Sequence, residues 1–168
     1  MPPPNRMIAE RHVVRCIGHT KNGSRCKRRT ARTQLCFAHL ETQEHLKIQP
    51  SHIRGAGLGL YTTIPRRKNQ RVTDYTGEEV VSHRRNFGGA YVLQIKDHPP
   101  TYIDARKTTE AAGRFSNSAR RGDGVRNNAH LSISHARRKY GIMMSNNLPG
   151  ASKQHPREVL TSYGGVYW

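Results

Sequence analysis

Short runs of apolar residues, separated by turn residues, make up most of the chain after residue 70. Period-two alternation and β-branched or aromatic side chains in these runs are typical of strands. Only residues 108–112 have the pattern of a helical turn. The pattern therefore predicts a predominantly β fold with a little irregular helix, and not a parallel α/β sheet. The predicted strands lie within residues 72–81, 90–95, 101–105, 131–134, 141–144 and 158–161.

A glycine-rich stretch precedes these runs. Gly55, Gly57 and Gly59 stand two residues apart, just before the apolar run 60–64. Glycines at this spacing let a ligand or another backbone approach closely. A dinucleotide-binding turn would need a strand before it and a helix after it, and the sequence indicates neither. The stretch is a candidate binding turn whose ligand the local pattern does not define.

All three cysteines lie in the first quarter of the chain. Nine residues separate Cys16 from Cys26 and nine separate Cys26 from Cys36, and His39 follows after two more. Three cysteines cannot all form disulfides with one another. Three thiolates and one imidazole are a usual ligand set for a structural, tetrahedral zinc ion. The spacing therefore predicts a zinc site formed by these four residues.

Other interpretations of this segment remain open at the level of sequence. His12 and His19 are alternative fourth ligands, and the interpretation without a metal is three free cysteines and a surface histidine. The segment resembles a small zinc-binding module with the pattern Cys-x-x-x-Thr-Lys-x-Gly-x-x-Cys, then a basic run, then Cys-x-x-His. So short a segment cannot build its own core, which also favours zinc binding. The basic run 27–32 would suit contact with nucleic acid or an acidic protein.

The boundary between this segment and the β body falls near residue 50. Residues 40–47 have the composition of a short helix, and Pro50 ends it because the residue before a proline disfavours helical backbone. We therefore expect a flexible N-terminus over residues 1–11, a Cys3His zinc module over 12–40, a connector over 41–50 and a second domain over 51–168.

The net charge indicates the kind of partner. The chain has 29 lysines and arginines against 11 acidic residues, which gives +18 at pH 7. Because the excess is spread along the whole chain, the sequence predicts contact with a polyanion, namely nucleic acid or chromatin, through a basic surface. The alternative is that the charge only keeps the protein soluble.

The apolar content limits the remaining classes of protein. Hydrophobic residues make up 34% of the chain, which permits a modest core. No stretch approaches about 18 consecutive apolar residues, and no apolar segment follows the N-terminus, so we expect no membrane contact and no signal peptide. We accordingly expect an intracellular protein, nuclear or cytoplasmic, with the nucleus favoured.

The order of the motifs after residue 50 is more specific than any one of them. This succession resembles the SET domain of protein-lysine methyltransferases, and the resemblance covers residues 51–168. It implies a SET-type fold of several short strands with a threaded C-terminal tail. The motifs are Ile-x-Gly-x-Gly-x-Gly-Leu at 53–60, Asp-Tyr-Thr-Gly-Glu at 74–78, Tyr-Ile-Asp-Ala at 102–105, Gly-Arg-Phe-Ser-Asn at 113–117, Asn-Asn at 127–128 and Glu-x-x-x-x-Tyr-Gly at 158–164.

The resemblance also implies a cofactor, S-adenosylmethionine, and residues that bind it. The family's glycine-rich turn holds the methionine part of the cofactor through backbone groups, and it corresponds to Ala56, Gly57 and Leu58. The resemblance places Asn117 near the methionine amine and the main chain of Ser118 against the adenine.

Three tyrosines and one tryptophan complete the expected site. The resemblance makes Tyr163 the catalytic tyrosine and places Tyr75 in the channel for the substrate lysine, with Tyr91 as a further candidate. A separate hypothesis is that Trp168, near the C-terminal end, closes the cofactor pocket.

The sequence departs from the family pattern after Asn117. The family usually continues His-Ser-Cys-x-Pro-Asn, whereas Ser-Ala-Arg follows here at 118–120, and the next asparagine, Asn127, comes four residues late. Backbone contacts to adenine tolerate such a change better than side-chain contacts would. Thr161 stands where the family often has Phe or Tyr, so the number of methyl groups added is not predicted.

Two functions of different classes follow from the sequence. The first is an S-adenosylmethionine-dependent protein-lysine N-methyltransferase whose substrate is a lysine-bearing protein, with histones among the candidates. The second is a catalytically silent SET-like module that binds chromatin or nucleic acid, motivated by the altered segment 118–120. The sequence defines neither the target lysine nor the oligomeric state.

Overall fold

The computed structural model describes residues 13–85, 87–89, 91–106, 110–134 and 139–163. The described chain is predominantly β, as predicted. A short helix α1 (Phe37–His39) continues into a π-helical turn (Leu40–Glu44), and a 3-10 turn covers Gly113–Phe115. The strands are β1 (Val14–Arg15), β2 (Arg29–Thr30), β3 (Leu46–Pro50), β4 (Leu58–Thr62), β5 (Arg71–Tyr75), β6 (Glu78–Val81), β7 (Val92–Lys96), β8 (Thr101–Asp104), β9 (Ala129–Ser134), β10 (Lys139–Met144), β11 (Arg157–Glu158) and β12 (Thr161–Ser162).

The strands form a two-stranded ribbon and three small sheets. β1 and β2 make the ribbon, and the sheets have the strand orders β12-β9-β10-β5, β11-β4-β3 and β6-β8-β7. Among the described residues, the strands pair antiparallel except β12 with β9, which is a parallel pairing. Because β11 and β12 pair with strands far back in the sequence, the last described residues join two of the sheets.

One hydrophobic cluster extends from the cysteine segment into the sheets. It includes Cys16 and Leu40 of the first segment together with Leu60, Ile142 and Val159 of the later strands, and all five are at most 3% exposed. Four of the five residues of β4 and three of the six residues of β10 are buried. The N-terminal segment is therefore packed on the body, and the division into domains stays a prediction.

Several element boundaries differ from those expected. Residues 46–50, expected within the connector, form β3, which pairs along its whole length with β4. The proline at its end fits an edge strand, because β3 has a neighbour on one side only. The helix expected over 40–47 ends at Glu44, and His45 has the left-handed backbone (φ 56°) that stops it.

Two predicted strands are each divided in two. The run 72–81 is interrupted at Thr76 and Gly77, where a Cβ on Gly77 would lie 2.6 Å from the carbonyl oxygen of Asp104. The chain bends here because only glycine allows the two backbones to approach so closely. The run 158–161 is likewise split between β11 and β12. Of the helical turn expected over 108–112, residues 107–109 lie outside the described residues.

The C-terminal tail passes between two other segments. Thr161 donates its backbone N–H to the carbonyl of Asn117 (2.8 Å) and is paired with Ala129 across the parallel contact of β12 with β9. Ser116 donates its hydroxyl to the carbonyl of Val159 (2.8 Å), and its Oγ lies 2.7 Å from that of Thr161. The tail is therefore threaded between the 116–117 segment and β9, as the SET-type fold requires.

In the part of the chain that the structure describes, no helix has the length and apolar character needed to cross a membrane.

Candidate active site and metal centre

A cavity of about 480 Å³ lies where the glycine-rich turn, the segment after the 3-10 turn and the C-terminal tail meet. It brings together residues that are up to 110 positions apart in sequence, from Ile53 to Tyr163. Six of the expected site residues line it, namely Ala56, Tyr75, Tyr91, Asn117, Ser118 and Tyr163. Gly57 and Leu58 belong to the same turn but do not line the cavity, and Trp168 lies outside the described residues.

The glycine-rich turn is held in shape by its own backbone. Gly55 and Gly57 have positive φ angles (79° and 73°), which glycine adopts without steric cost. The N–H of Ser51 donates to the carbonyl of Gly57 (2.8 Å), and the N–H of Ala56 donates to that of Ile53 (3.1 Å). These two bonds close the turn and fix the course of its backbone beside the cavity, which Gly55 and Ala56 line.

A buried carboxylate ties this turn to the tail. Glu158, 7% exposed, accepts hydrogen bonds from the hydroxyl of Ser51 (2.5 Å), the backbone N–H of His52 (3.0 Å) and the hydroxyl of Tyr61 (3.3 Å). Hydrogen bonds to an ionised acceptor are roughly twice as strong as neutral ones. The position of the glycine-rich turn therefore depends on β11, five residues before Tyr163.

Asn117 joins the turn to the tail from the other side. Its side-chain amide donates to the carbonyl of Leu58 (2.9 Å), while its own carbonyl accepts the N–H of Thr161 (2.8 Å). Leu58 thus contacts Asn117 through its backbone carbonyl, although Leu58 does not line the cavity, and its role in cofactor binding stays a prediction. The side chain of Asn117 fixes the end of the glycine-rich turn, and this contact is distinct from the cofactor contact that the resemblance implies.

The unusual segment after Asn117 forms a closed loop. The side chain of Asn127 accepts the N–H of Ala119 (2.7 Å) and donates to the carbonyl of the same residue (3.3 Å). Inside the loop, the N–H of Arg120 donates to the carboxylate of Asp123 (2.6 Å). The later position of Asn127 in sequence is therefore accommodated by an added loop, and Ser118 still reaches the cavity.

Two tyrosines face each other in the cavity. The rings of Tyr75 and Tyr163 have centroids 6.1 Å apart and an interplanar angle of 74°. The hydroxyl of Tyr163 donates to the carbonyl of Ser116 (2.6 Å). Burial is the main cause that raises the pKa of both phenols well above 10, so both are neutral at physiological pH. The only hydroxyl proton of Tyr163 is donated to the carbonyl of Ser116. The lone pairs of the Tyr163 oxygen can therefore still accept a hydrogen bond from another group.

Tyr91 and Arg114 form the adjoining wall. The guanidinium of Arg114 lies 5.5 Å from the centroid of Tyr91 and 4.9 Å from that of Phe115. Burial raises the pKa of Tyr91 to about 12 and lowers the pKa of Arg114. The hydroxyl of Tyr91 and the Nε of Arg114 are buried and have no partner among the described residues. Unpaired buried polar atoms are unusual, and both belong to residues that line the cavity.

Arg114 lines the cavity, although sequence reasoning did not single it out as a candidate site residue. It donates to the carbonyl of Ala105 (2.8 Å) and, from its other nitrogen, to those of Ala31 (3.3 Å) and Arg32 (3.0 Å). It therefore connects the cysteine segment to a wall of the cavity. The only sequence signal was its place in the Gly-Arg-Phe-Ser-Asn motif, because its partners Ala31 and Arg32 are more than 80 residues away.

The four predicted metal ligands lie together. The sulfurs of Cys16, Cys26 and Cys36 and a ring nitrogen of His39 all lie within 4.8 Å of one another, and the cysteines are buried. Tetrahedral zinc with Zn–S bonds of about 2.3 Å would separate its sulfurs by about 3.8 Å, so little movement would complete the site. Of the two alternative fourth ligands, His12 lies outside the described residues, and the ring of His19 is not part of the cluster.

The surroundings of the cluster prepare it for a cation. The Nε2 of His39 lies 2.9 Å from the carbonyl of His19, so Nε2 carries the proton and Nδ1, 3.4 Å from two sulfurs, is free to bind. Backbone N–H groups of Gly18 (3.4 Å) and Cys36 (3.2 Å) donate to the sulfur of Cys16. Burial by itself would raise the pKa of Cys36, but hydrogen bonds from its neighbours lower it to about 6, which favours the thiolate.

Comparison with known proteins defines the class of fold. No protein-family model and no curated protein sequence matches the chain. Among solved structures, the fold is similar to the methyltransferase domain of human PR domain-containing protein 2, with a TM-score of 0.55 and 18% identity over 76% of this chain and 84% of that one.

A second similar structure is a large assembly. It is the Chaetomium thermophilum polycomb repressive complex 2, with a TM-score of 0.54 and 18% identity over 71% of this chain. The present chain spans only 15% of that chain. At 18% identity these similarities establish the fold alone. The protein has the SET-type methyltransferase fold, together with a Cys3His cluster in its N-terminal segment.

Proposed function

We propose that this protein is an S-adenosylmethionine-dependent protein-lysine N-methyltransferase. The observation that carries the proposal is the single cavity lined by Ala56 of the glycine-rich turn, by Asn117 and Ser118, and by Tyr75 and Tyr163. These residues come from distant parts of the sequence, and each of them corresponds to a site residue implied by the resemblance to the SET family. The similarity in fold to a methyltransferase domain supports the same function.

The residues around the cavity fit the proposed cofactor. S-adenosylmethionine offers the ammonium and carboxylate of its methionine part and an adenine ring with hydrogen-bonding edges. Residues 55–56 and 116–118 line the cavity in which these groups would lie, and the unpaired hydroxyl of Tyr91 and Nε of Arg114 are a spare acceptor and donor in the same wall. When bound, the cofactor supplies an electrophilic methyl group.

The tyrosines would act on the substrate amine. A lysine must lose its proton before it can accept a methyl group, and a channel that excludes water lowers the pKa of the amine. The neutral rings of Tyr75 and Tyr163 would exclude water, and their faces would attract the cationic amine as it enters. The oxygen of Tyr163, which still has acceptor capacity, would orient the amine at attacking distance.

The Cys3His cluster supports a second part of the proposal, a structural zinc ion. Cys16, Cys26, Cys36 and His39 form a closed set of four, which leaves no position for a substrate and is typical of structural sites. Held there, the ion would fix the segment that carries the carbonyls of Ala31 and Arg32. Because Arg114 donates to these two carbonyls and lines the cavity, the zinc ion would also stabilise the position of this cavity wall.

The proposed substrate is a lysine-bearing protein, with histones among the candidates. The net charge of +18 favours an environment rich in polyanions, and we propose the nucleus as the site of action. One of the structures with a similar fold belongs to a polycomb repressive complex, which is consistent with action within a protein assembly.

Transfer of a radiolabelled methyl group tests the proposal. The chain is incubated with labelled S-adenosylmethionine and a panel of histones and peptides, in parallel with Tyr163→Phe. We expect the substitution to reduce incorporation by about a hundredfold or more, since it removes an oxygen placed at the reacting amine. The control is Tyr102→Phe, because Tyr102 packs against Phe87 (4.9 Å between centroids) and does not line the cavity.

Binding of the cofactor is measured separately by thermal shift. A ligand that binds only the folded state raises the melting temperature. We expect S-adenosylmethionine to stabilise both the parent chain and Tyr163→Phe. No stabilisation of either would overturn the proposal and favour a catalytically silent module, whereas equal incorporation by Tyr163→Phe would remove the tyrosine from the mechanism.

A further inference from the structure

A second cavity, of about 680 Å³, lies on the N-terminal segment, away from the candidate active site. One wall is the basic run that follows Cys26, the second is α1 and the turn after it, and the third is strand β3. None of its lining residues lines the first cavity. We call it the basic groove and define it by Arg28, Arg29, Arg32, Phe37, Lys47 and Ile48.

The positive charge of the basic groove is largely uncompensated. Arg28, Arg29 and Arg32 are exposed, and none of them takes part in a salt bridge among the described residues. Lys47 does, since its Nζ lies 3.4 Å from the carboxylate of Glu41. Arg29 and Arg32 do donate to the backbone carbonyls of Val13 (3.5 Å) and Ile48 (3.3 Å), but these acceptors are neutral. The positive charge therefore remains uncompensated and concentrates anions at this surface.

An exposed aromatic ring lies among these arginines. Phe37 is 75% exposed, more than any other large hydrophobic residue in the described part of the chain. It is held outward because its neighbour Cys36 and the next turn's His39 belong to the Cys3His cluster and face inward. The guanidinium of Arg28 lies 4.9 Å from the centroid of Phe37. Exposing an aromatic ring to water is unfavourable, whereas stacking another flat, electron-rich group on the ring and beside the cationic guanidinium is favourable.

We propose that the basic groove binds single-stranded nucleic acid, with a base stacked on Phe37 and phosphates held by Arg29 and Arg32. Basic grooves with exposed aromatic rings bind single strands in this way, and each stacked base contributes roughly 1–3 kcal/mol. A duplex keeps its bases stacked on one another and offers only phosphates to this surface. An acidic peptide offers charge without a base to cover the ring. The proposal does not depend on methyl transfer.

Binding of a labelled oligothymidylate to the 168-residue chain tests the proposal. We expect Phe37→Ala to weaken binding roughly 5- to 150-fold, the loss of one stacked base, without changing the dependence on salt. Phe37→Trp, which keeps a ring, is expected to retain the affinity. Metal content and thermal melting are measured for each variant, because Phe37 adjoins a proposed zinc ligand.

Arginine substitutions test the electrostatic part. For a single strand, the slope of log K against log salt changes by about 0.7 for each phosphate neutralised. The pair Arg29→Gln and Arg32→Gln is expected to reduce the slope by about 1.4. The matched control removes the same charge at Arg84 and Arg85, which are exposed and outside the basic groove. It is expected to leave the slope unchanged.

Two further ligands separate the alternatives. An abasic strand with the same number of phosphates is expected to bind the parent chain and Phe37→Ala equally. Poly-glutamate is expected to compete weakly. The proposal is overturned if Phe37→Ala binds oligothymidylate as the parent does, if the control pair lowers the slope as much as the groove pair, or if poly-glutamate or duplex DNA binds more tightly than the single strand.

Discussion

The replacement of Arg114 by lysine is the sharpest test of how the N-terminal segment supports the candidate active site. Arg114 donates in two directions at once, to Ala105 on one side and to Ala31 and Arg32 on the other. A planar guanidinium with five N–H donors can do this, whereas a single ammonium at the end of a flexible chain reaches only one side. Arg114→Lys keeps a basic side chain and removes this bridge.

The expected cost follows from the bonds that are lost. A hydrogen bond from a charged donor contributes about 1.5–3 kcal/mol, and lysine loses at least one or two of the three. We therefore expect the free energy of unfolding to fall by about 2–4 kcal/mol. This would be a large share of the total, since domains are stable by about 5–15 kcal/mol. Burial, which already lowers the pKa of Arg114, would favour the neutral form of a lysine there and weaken its remaining bonds further.

Urea unfolding monitored by circular dichroism measures this cost, and Arg106→Lys is the matched control. The side chain of Arg106 makes three hydrogen bonds to a single partner, the carboxylate of Asp104 (2.6, 2.9 and 3.1 Å), but it is 46% exposed. An exposed ion pair contributes at most about 1 kcal/mol, so the control should change little. If Arg114→Lys costs no more than Arg106→Lys, the bridge does not hold the segment on the body and the reasoning is wrong.

Three further outcomes are expected. Purified protein should contain one zinc ion per chain and lose it in Cys36→Ser, with a lower melting temperature; metal analysis showing full zinc in this variant would contradict the assignment. For Tyr91, burial raises the pKa of the phenol from about 10 in the unfolded chain to about 12 in the folded one, so its contribution to stability is complete below about pH 10 and is lost as the pH rises toward 12. Urea unfolding across that range should show a shallower decline for Tyr91→Phe, and an identical decline would contradict the burial argument. Gly77→Ala should lower the free energy of unfolding by roughly 1–3 kcal/mol, because the added Cβ would lie 2.6 Å from the carbonyl oxygen of Asp104. Gly88→Ala is the control and should not destabilise the protein, because no atom lies within 4 Å of the added Cβ. Equal melting temperatures of the two variants would contradict the close approach at Gly77.

The parts of the molecule that could be predicted are those that show in the sequence as a fixed spacing of residues or as a fixed order of motifs. The spacing of Cys16, Cys26, Cys36 and His39 predicted a ligand set that the structure brings together, because four metal ligands constrain the sequence directly. The order of the motifs predicted the SET-type fold, although each motif is weak by itself. The resemblance implied a threaded C-terminal tail, and in the structure this tail contacts Asn117. No property of residues 157–163 alone would indicate that contact.

The parts that could not be predicted depend on contacts between distant residues. Strand β3 was expected to lie in a connector because Pro50 was interpreted as the end of a short helix, and its pairing with β4 explains why Pro50 is tolerated at an edge. The break at Gly77 depends on Asp104, and the bridge made by Arg114 depends on Ala31 and Arg32. In these last two cases the partner lies more than 25 residues away, and in all three the deciding contact lies outside the element itself. No local pattern of apolar and polar residues contains that information.

The threaded tail has a consequence for the synthesis of the protein. Thr161 must lie between Asn117 and Ala129 before Tyr163 can reach Ser116, and Glu158 must arrive before the turn at Ser51 is fixed. During translation, the first 150 residues therefore leave the ribosome with an incomplete cavity and an open passage. Contacts so distant in sequence form slowly, and surfaces left open during synthesis are prone to aggregation. Nascent chains stalled before residue 157 should be held by chaperones, and they should become able to bind the proposed cofactor, S-adenosylmethionine, only when β11 and β12 have been released.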